Sequence, residues 1–443
     1  MHKTDKWLLA IAAIYAVALL AVLAVFGYTP GNDTDGYISM AQTCLDEGEP
    51  YPCMKLINSF PFIWNVGSIN IIAASIRLTG SVLPLLPIFC LLKALTALLT
   101  AKICGRLMGG RAAVATMLLY VLYPNNWGQS TMLLSELPMV FFCTWGVYTA
   151  TGKPTTARLV ASGVLLCIAN WFRPIALLFV IVLAAYHIVY HRRDALRRIL
   201  LIASGYAVSI CAIGTETWSR TGYFVYQSES FWFNMADDAY DGASPRTVFG
   251  EPLIKKGTPR YIEDMASKNC FECSDIWRDR CLPWLLTHKV EYLSKVPWRF
   301  YDMFYNDADN MAAFITKAEK YGTVRATLTV PYRSLFKAST HLTRYQRLCV
   351  LAMLCYYIIM LSAIAGAVML ARRRNWHALF LPALVIVLVT MGTVLLMHGE
   401  TRFKAPFMPY VFMLAGYAWQ QAAAILARRW GNNKKKAITQ TTI

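Results

Sequence analysis

One stretch near the N-terminus decides the fold: residues 7–27 read WLLAIAAIYAVALLAVLAVFG. The stretch carries no charged side chain, and a helix of about 20 apolar residues crosses the roughly 30 Å hydrocarbon core of a bilayer. It is longer than an ordinary signal-peptide core, and no small-residue cleavage site follows it. We therefore expect residues 7–27 to form an uncleaved first membrane span.

The rest of the chain repeats this pattern. Of its 443 residues, 57% are hydrophobic and 15% are charged, and the mean hydropathy is +0.41, whereas soluble domains carry about 25% charged residues. Apolar residues come in blocks of similar length along the chain, and these blocks lack the period-two alternation of the strands of membrane β-barrels. We expect an all-α polytopic membrane protein, a bundle of about ten transmembrane helices. The other nine blocks lie at 83–105, 111–124, 132–150, 157–172, 174–190, 199–218, 347–371, 377–397 and 406–427.

The net charge of +18 is concentrated between these blocks. Basic residues cluster in the segments 106–111, 151–158, 191–198 and 372–376 and in the tail after Arg428. Because basic residues mark cytoplasmic loops, we expect both termini inside. This explanation of the charge leaves no reason to expect a nucleic-acid partner.

The loops 28–82, 219–346 and 398–405 then lie outside. We divide the chain into an N-terminal transmembrane module (1–218, with the outer loop 28–82), an extracytoplasmic domain (219–346) and C-terminal helices with a basic tail (347–443). Tryptophan and tyrosine residues in 219–346 suggest that it rests on the membrane surface. Residues 60–78 are apolar but interrupted by Pro61 and Asn65, so we expect a helix lying at the interface.

Five cysteines fall on the outer side. In an oxidising exterior, Cys44 and Cys53 are expected to form a disulfide. Cys270, Cys273 and Cys281 are odd in number, so their pairing stays open, and we favour disulfide or plain thiols over a zinc site.

The first outer loop places two carboxylates, Asp33 and Asp35, at the water boundary beyond the first span. Such groups serve as a general base or hold a cation. The simpler interpretation is that one of them caps the helix that begins near Tyr37.

Three further outer sites carry charge. Glu136 lies at the outer end of the fourth span, where an ionisable side chain is costly, and Arg173 precedes Pro174 at the next outer turn. The last outer loop reads HGETRFKAP over residues 398–406. Its basic groups beside a carboxylate suit a lipid phosphate, although an ordinary polar loop has the same composition. The residues in question are His398, Glu400, Arg402 and Lys404.

Together, these positions resemble the GT-C glycosyltransferases, in particular the dolichyl-phosphate-mannose protein mannosyltransferase and aminoarabinose transferase superfamily. The family has an Asp, a Tyr four residues later and an Ala four beyond, as in Asp33, Tyr37 and Ala41. The chain departs from the family pattern in two places. Thr34 stands where the family commonly has an acidic residue, and the two-proline run of the interfacial helix is incomplete. These departures leave the identity of the general base open between Asp33 and Asp35. The other similar features are the segment 60–64, Glu136, Arg173-Pro174, Arg402-Phe403, Pro406 and Pro409.

The resemblance implies a sugar transferase that uses a polyprenyl-phosphate-linked donor at the outer face and inverts the anomeric carbon. Asp33 would be the base, with Asp35 as its neighbour or rival. The phosphate would be held by Arg402, Lys404 and Arg173, and the cavity lined by Tyr37, Glu136, His398 and Glu400. The acceptor would be a lipid, a glycan or a protein, and the surrounding membrane lipid a further partner. We expect a bacterial inner membrane with the site facing the periplasm. No motif requires a cofactor, and a divalent cation stays open.

Two other classes of function fit a membrane protein that handles lipid-linked sugars. A transporter or flippase would place ionisable groups near mid-membrane and show related halves, whereas the charged candidates here gather at one face. A glycan polymerase or ligase performs neighbouring chemistry, and a diphosphate-linked oligosaccharide donor would indicate it.

Overall fold

The computed structural model describes residues 3–31, 33–240, 254, 256–317 and 344–441. The rest of the predicted outer domain, including Pro245 and Pro252, lies outside the described residues. The described chain is helical and contains no strand.

The first part of the chain, up to residue 129, alternates long helices with short ones of the outer loop. The helices are α1 (Lys3–Phe26), α2 (Thr34–Asp46), α3 (Met54–Ser59), α4 (Val66–Thr79), α5 (Leu85–Met108), α6 (Gly110–Leu122) and α7 (Pro124–Gln129). The apolar segment 60–78 thus becomes helical only from Val66, because Pro61 and the extended backbone at Asn65 precede the helix. It ends at Gly80, whose φ of 75° is the left-handed conformation that favours glycine.

The remaining elements of the N-terminal module are α8 (Glu136–Ala150), α9 (Thr156–Phe172), α10 (Leu177–Tyr190) and α11 (Ala195–Thr221). The outer segment supplies α12 (Phe231–Tyr240), α13 (Cys270–Thr287), α14 (Lys289–Ser294), α15 (Val296–Phe304) and α16 (Asp309–Thr316). The C-terminal part consists of α17 (Arg344–Arg372), α18 (Trp376–Leu396) and α19 (Met408–Thr441). Short 3₁₀ turns cover Pro174–Ala176, Met265–Ser267 and Thr401–Lys404.

Each of the ten apolar blocks predicted from the sequence contains most of a helix, although the helix of the block 132–150 begins only at Glu136. In the described chain, five helices are long and apolar enough to cross a membrane: Thr4–Phe26, Leu85–Met108, Ala195–Thr221, Arg347–Arg372 and Trp376–Leu396. Large apolar side chains remain exposed along them, as lipid-facing positions require; examples are Ile14, Val17, Leu361 and Val387.

The long helices pack into one apolar core. α9 lies against both α8 and α11, and α19 lies against α6 and α17. The contact between α9 and α11 depends on small residues, since a Cβ on Gly205 would lie 2.2 Å from the carbonyl oxygen of Val160. Small residues let membrane helices approach closely.

The described parts of the outer segment pack in two ways. Phe233, Trp277 and Cys281 form an outer cluster with Phe62 of the first outer loop. Farther along, Met303 joins the main membrane core, and Ala308 packs with Cys349 of α17. The end of the outer segment therefore approaches the membrane helices, and it brings polar residues to the cavity described below.

Candidate active site

Asp33 and Arg402 form an ion pair at the end of the bundle that the sequence predicts to face outward. Asp33 immediately precedes α2, yet its side chain makes no capping hydrogen bond. Its Oδ2 instead accepts a hydrogen bond from Arg402 Nη1. Asp33 therefore occupies the N-cap position of α2, as one interpretation expected, but its carboxylate faces the last outer loop and does not cap the helix.

Arg402 also contacts the two glutamates of the site. Its Nε lies 2.5 Å from Glu400 Oε2 and 3.9 Å from Glu136 Oε1. The arginine belongs to a 3₁₀ turn, which brings it near the side chain two residues before it. One third of the Arg402 side chain remains exposed (33%), so its guanidinium is accessible to a ligand.

Arg173 supplies a second cation. α9 ends at Phe172, and Arg173 takes an extended backbone (φ −154°) before Pro174, as expected for a residue that precedes proline. Its Nη2 lies 2.7 Å from Glu136 Oε1 and 4.0 Å from Asp33 Oδ2, and its Nε donates to Ser135 Oγ at 2.8 Å. Two arginines and three carboxylates thus form one cluster.

The charges of the cluster stabilise one another. Burial by itself raises the pKa of Glu400, but the positive charge of Arg402 and a hydrogen bond from His398 outweigh it and hold that pKa well below its ordinary value. Burial likewise works against the charged form of Arg402, and the carboxylates of Asp33 and Glu400 raise its pKa well above the usual range. Both groups are therefore ionised at neutral pH.

A buried hydrogen-bond network holds the first outer loop in place. Tyr37, one turn after Asp33, is 1% exposed, and burial raises the pKa of its hydroxyl. Asn65 donates to Tyr37 Oη at 2.6 Å and to Ser135 Oγ at 3.3 Å. The network joins α2, the start of α4 and the start of α8, and so fixes the position from which Asp33 projects.

His398 and Gly399 shape the last outer loop. His398 Nε2 lies 3.5 Å from Glu400 Oε1. A Cβ on Gly399 would lie 1.9 Å from the carbonyl oxygen of Arg299. Any larger residue at 399 would push the loop away from α15, and Glu400 and Arg402 would move with it.

A cavity of about 1170 Å³, part of it open to solvent, adjoins the cluster. Glu136, Glu400 and Arg402 line it together with polar side chains that the sequence did not single out. Apolar residues of α6 and α19, such as Tyr120 and Phe412, complete it. The additional polar residues are Lys93, Tyr123, Asn125, Gln129, Asp307 and Asp309.

The structure does not bring every predicted site residue together. Lys404 is fully buried, and its Nζ donates to the carbonyl oxygens of Met303 and Asn306, both at 2.6 Å, and lies 3.4 Å from Asp307. The prediction that Lys404 holds the donor phosphate is therefore wrong: its donors are used within the fold. Asp35 is exposed on α2, and the hydrogen bonds and ion pairs of Asp33 do not extend to it.

Some of the missed residues carried a signal in the sequence. Lys93 is an ionisable residue inside an apolar block, which marks a functional candidate by default. Asp307 and Asp309 had no such signal, because only the packing of the outer segment brings them to α6 and α7. Across the described ranges, no group of three or more His, Cys, Asp or Glu side chains is arranged to hold a metal ion.

The chain matches no protein-family model and no curated protein. Its structure is similar to that of the archaeal oligosaccharyltransferase AglB from Archaeoglobus fulgidus in complex with an inhibitory peptide and a dolichol-phosphate. The TM-score is 0.54 at 11% identity, over 96% of this chain and 52% of that one. A second oligosaccharyltransferase structure from the same organism, tethered with an acceptor peptide, gives 0.50 at 11% identity, over 93% and 49%. ArnT from Cupriavidus metallidurans, bound to undecaprenyl phosphate, gives 0.40 at 13% identity, over 94% and 78%.

The chain spans about half the length of the oligosaccharyltransferases that it resembles. At such identities the likeness concerns the fold. AglB is a GT-C glycosyltransferase, and the resemblance of the outer motifs had predicted this architecture. The chain therefore has an all-α polytopic membrane fold similar to that of AglB.

Proposed function

We propose that this protein transfers a sugar from a polyprenyl-phosphate-linked donor to an acceptor at the extracytoplasmic face of a bacterial inner membrane. The observation that carries the proposal is the cluster of Asp33 with Arg173 and Arg402 beside an outer cavity. A carboxylate next to two arginines supplies both a proton acceptor and a phosphate-binding site. The AglB structure, which shares the fold, contains a dolichol-phosphate.

The two arginines have different parts in the proposal. Arg402 lines the cavity and is one third exposed, so it binds the donor phosphate directly. Arg173 is more enclosed and reaches Glu136 and Asp33, so it adds positive charge behind Arg402. Cations fixed where negative charge develops stabilise the transition state of a departing phosphate.

Asp33 is the general base of the proposal. Its carboxylate is paired with Arg402. A donor phosphate bound to Arg402 competes for that guanidinium, and the Asp33 carboxylate then becomes available to the acceptor hydroxyl. Binding of the donor and activation of the base are thus coupled through one side chain.

The chemical step is a single displacement. The acceptor oxygen forms a bond to the anomeric carbon while its proton passes to Asp33. The bond from that carbon to the phosphate oxygen breaks, and the electron pair leaves with the polyprenyl phosphate. Attack from the face opposite the leaving group inverts the anomeric configuration. Tyr37, Glu136, Glu400 and His398 position these groups through the contacts described above.

The test uses purified protein in lipid nanodiscs with a panel of radiolabelled polyprenyl-phosphate sugars and candidate lipid, glycan and peptide acceptors. The proposal predicts release of polyprenyl phosphate and a product of inverted anomeric configuration. Movement of an unchanged donor across a liposome membrane without release would contradict it in favour of a transporter. Turnover of diphosphate-linked oligosaccharides alone would favour a glycan polymerase or ligase.

A further inference from the structure

Lys93 is a buried cation that the proposed mechanism does not use. It lies on α5, is 6% exposed and lines the same cavity as Arg402. Its ammonium donates to Gln129 Oε1. Within the described ranges, no carboxylate oxygen lies within 4.0 Å of Lys93 Nζ, so Lys93 has no ion-pair partner there.

The carboxylates that share the cavity are already engaged. Asp307 accepts hydrogen bonds from Tyr123 and, at 3.3 Å, from Asn125, and it pairs with the fully buried Lys404 at 3.4 Å. Asp309 accepts hydrogen bonds from Thr401 and, at 3.3 Å, from Asn306. Neither is within ion-pair distance of Lys93.

The surroundings of Lys93 are enclosed but polar on one side. The Tyr120 ring lies 5.6 Å from its Nζ, and Gln129 is 8% exposed. Thr96 and Asn126 also line this part of the cavity. An ammonium inside an apolar helix bundle is unfavourable unless it gains an anionic partner. Lys93 lines the cavity, and its amino group makes only one hydrogen bond within the described protein. A ligand in the cavity can therefore provide the anionic partner.

We propose that the part of the cavity around Lys93 is a second anion-binding subsite, which takes an anionic group of the lipid-linked ligand other than the phosphate at Arg402. This inference rests on the proposed function for a lipid-linked sugar as the ligand, and a preference for the diphosphate would favour the polymerase or ligase instead. Two sources supply the same chemistry: the second phosphate of a diphosphate-linked donor, or a carboxylate on the sugar. In either case Lys93 and Gln129 determine which donor the protein accepts.

Two variants test the subsite. Lys93→Met keeps the aliphatic stem and removes the charge, and the folded protein should be at least as thermally stable as the wild type, since an uncompensated buried charge is gone. Gln129→Glu keeps Lys93 and supplies an internal carboxylate where the ligand anion would bind. Because the second variant retains the cation, it keeps the proposal testable if the first folds poorly.

The measurement is equilibrium binding to the protein in nanodiscs. One pair of probes is undecaprenyl phosphate and undecaprenyl diphosphate; the other is polyprenyl-phosphate galactose and polyprenyl-phosphate galacturonic acid. We expect the wild type to prefer the second member of one pair by roughly ten- to a hundredfold, the usual effect of a hydrogen bond to a charged group. Both variants should lose that preference. The pair that shows the preference identifies the source of the anion.

Equal binding within both pairs, or a preference that survives in both variants, would overturn the subsite. Arg402→Met serves as the separate test of the phosphate site. If Arg402→Met binds undecaprenyl phosphate with wild-type affinity, the proposed function fails. The subsite at Lys93 is judged separately, from the binding preferences of Lys93→Met and Gln129→Glu.

Discussion

Arg402 and Asp33 form an ion pair although 369 residues separate them in the chain. One belongs to the loop before the last helix and the other to the loop after the first. The fold closes these two outer loops over one cavity, and Glu136 and Arg173 join the pair from α8 and from the turn after α9. The proposed phosphate-dependent transfer explains why this charge cluster is built at the end of the bundle that is predicted to face outward.

Replacing Arg402 by Met should weaken binding of undecaprenyl phosphate by roughly ten- to a hundredfold, because a charge-assisted hydrogen bond to the phosphate is lost. Isothermal titration in nanodiscs measures the change. Asp33 and Glu400 then lose the cation that they share, so the thermal unfolding temperature is recorded alongside. The phosphate-binding role of Arg402 is refuted if the folded variant binds the lipid phosphate with wild-type affinity.

Lys404, only two residues away, should behave differently. Lys404→Met leaves two carbonyl oxygens and Asp307 without their buried cation, and breaking such a pair costs about 3–5 kcal/mol of stability. We expect a clear fall in the unfolding temperature, measured by tryptophan fluorescence. A variant as stable as the wild type but deficient in lipid-phosphate binding would restore Lys404 to the phosphate site.

Cys44 and Cys53 should form a disulfide in protein isolated from an oxidising compartment. Both are fully buried free thiols, and they belong to the same apolar cluster. Mass spectrometry after alkylation, with and without reductant, detects the bond. Reduction should lower the stability by about 2–4 kcal/mol, and the Cys44→Ser/Cys53→Ser variant should lose this part of the response to reductant. Recovery of both residues as free, alkylated thiols in the unreduced denatured protein would contradict the prediction.

Because Glu229 is largely buried, we expect the free energy of unfolding to depend on pH. Burial raises the pKa of its carboxyl to about 7, from an ordinary value of 4.5. Between these values the unfolded state binds fewer protons than the folded state, so the free energy of unfolding falls as the pH rises, and it levels off above pH 7. Glu229→Gln should therefore match the wild type at pH 4.5 and be more stable at pH 8. Thermal unfolding at the two pH values measures this.

The control for this prediction is Glu263→Gln, since Glu263 is exposed. It should shift the stability equally at both pH values. If Glu229→Gln and Glu263→Gln behave alike, burial of Glu229 does not explain the pH dependence.

The long helices were predictable because their apolar blocks are about as long as a helix that crosses a bilayer. The block 83–105 became Leu85–Met108, and 377–397 became Trp376–Leu396. The positive-inside pattern does not explain basic residues in loops that are predicted to lie outside. This exception identified Arg173 and Arg402 as candidate site residues. Those two arginines meet Asp33 and Glu136 in the structure.

The remaining parts of the site depend on geometry that sequence spacing does not encode. Arg402 and Lys404 look alike in the sequence, but the 3₁₀ turn at Thr401–Lys404 directs one toward Asp33 and the other into the core. Asp307 reaches the cavity only because α15 and α16 pack against the membrane helices. Lys93 could have been found, since a lysine inside an apolar block is itself a signal.

The most direct test of the central claim compares Asp33→Asn with Asp35→Asn, its exposed neighbour on the same helix. The measurement is release of polyprenyl phosphate from a radiolabelled donor that the wild type turns over. Loss of a general base predicts that Asp33→Asn is slower by roughly 10²- to 10⁴-fold, whereas Asp35→Asn retains nearly the wild-type rate. A folded Asp33→Asn protein with full activity, or a large loss confined to Asp35→Asn, would contradict the assignment of Asp33 as the base.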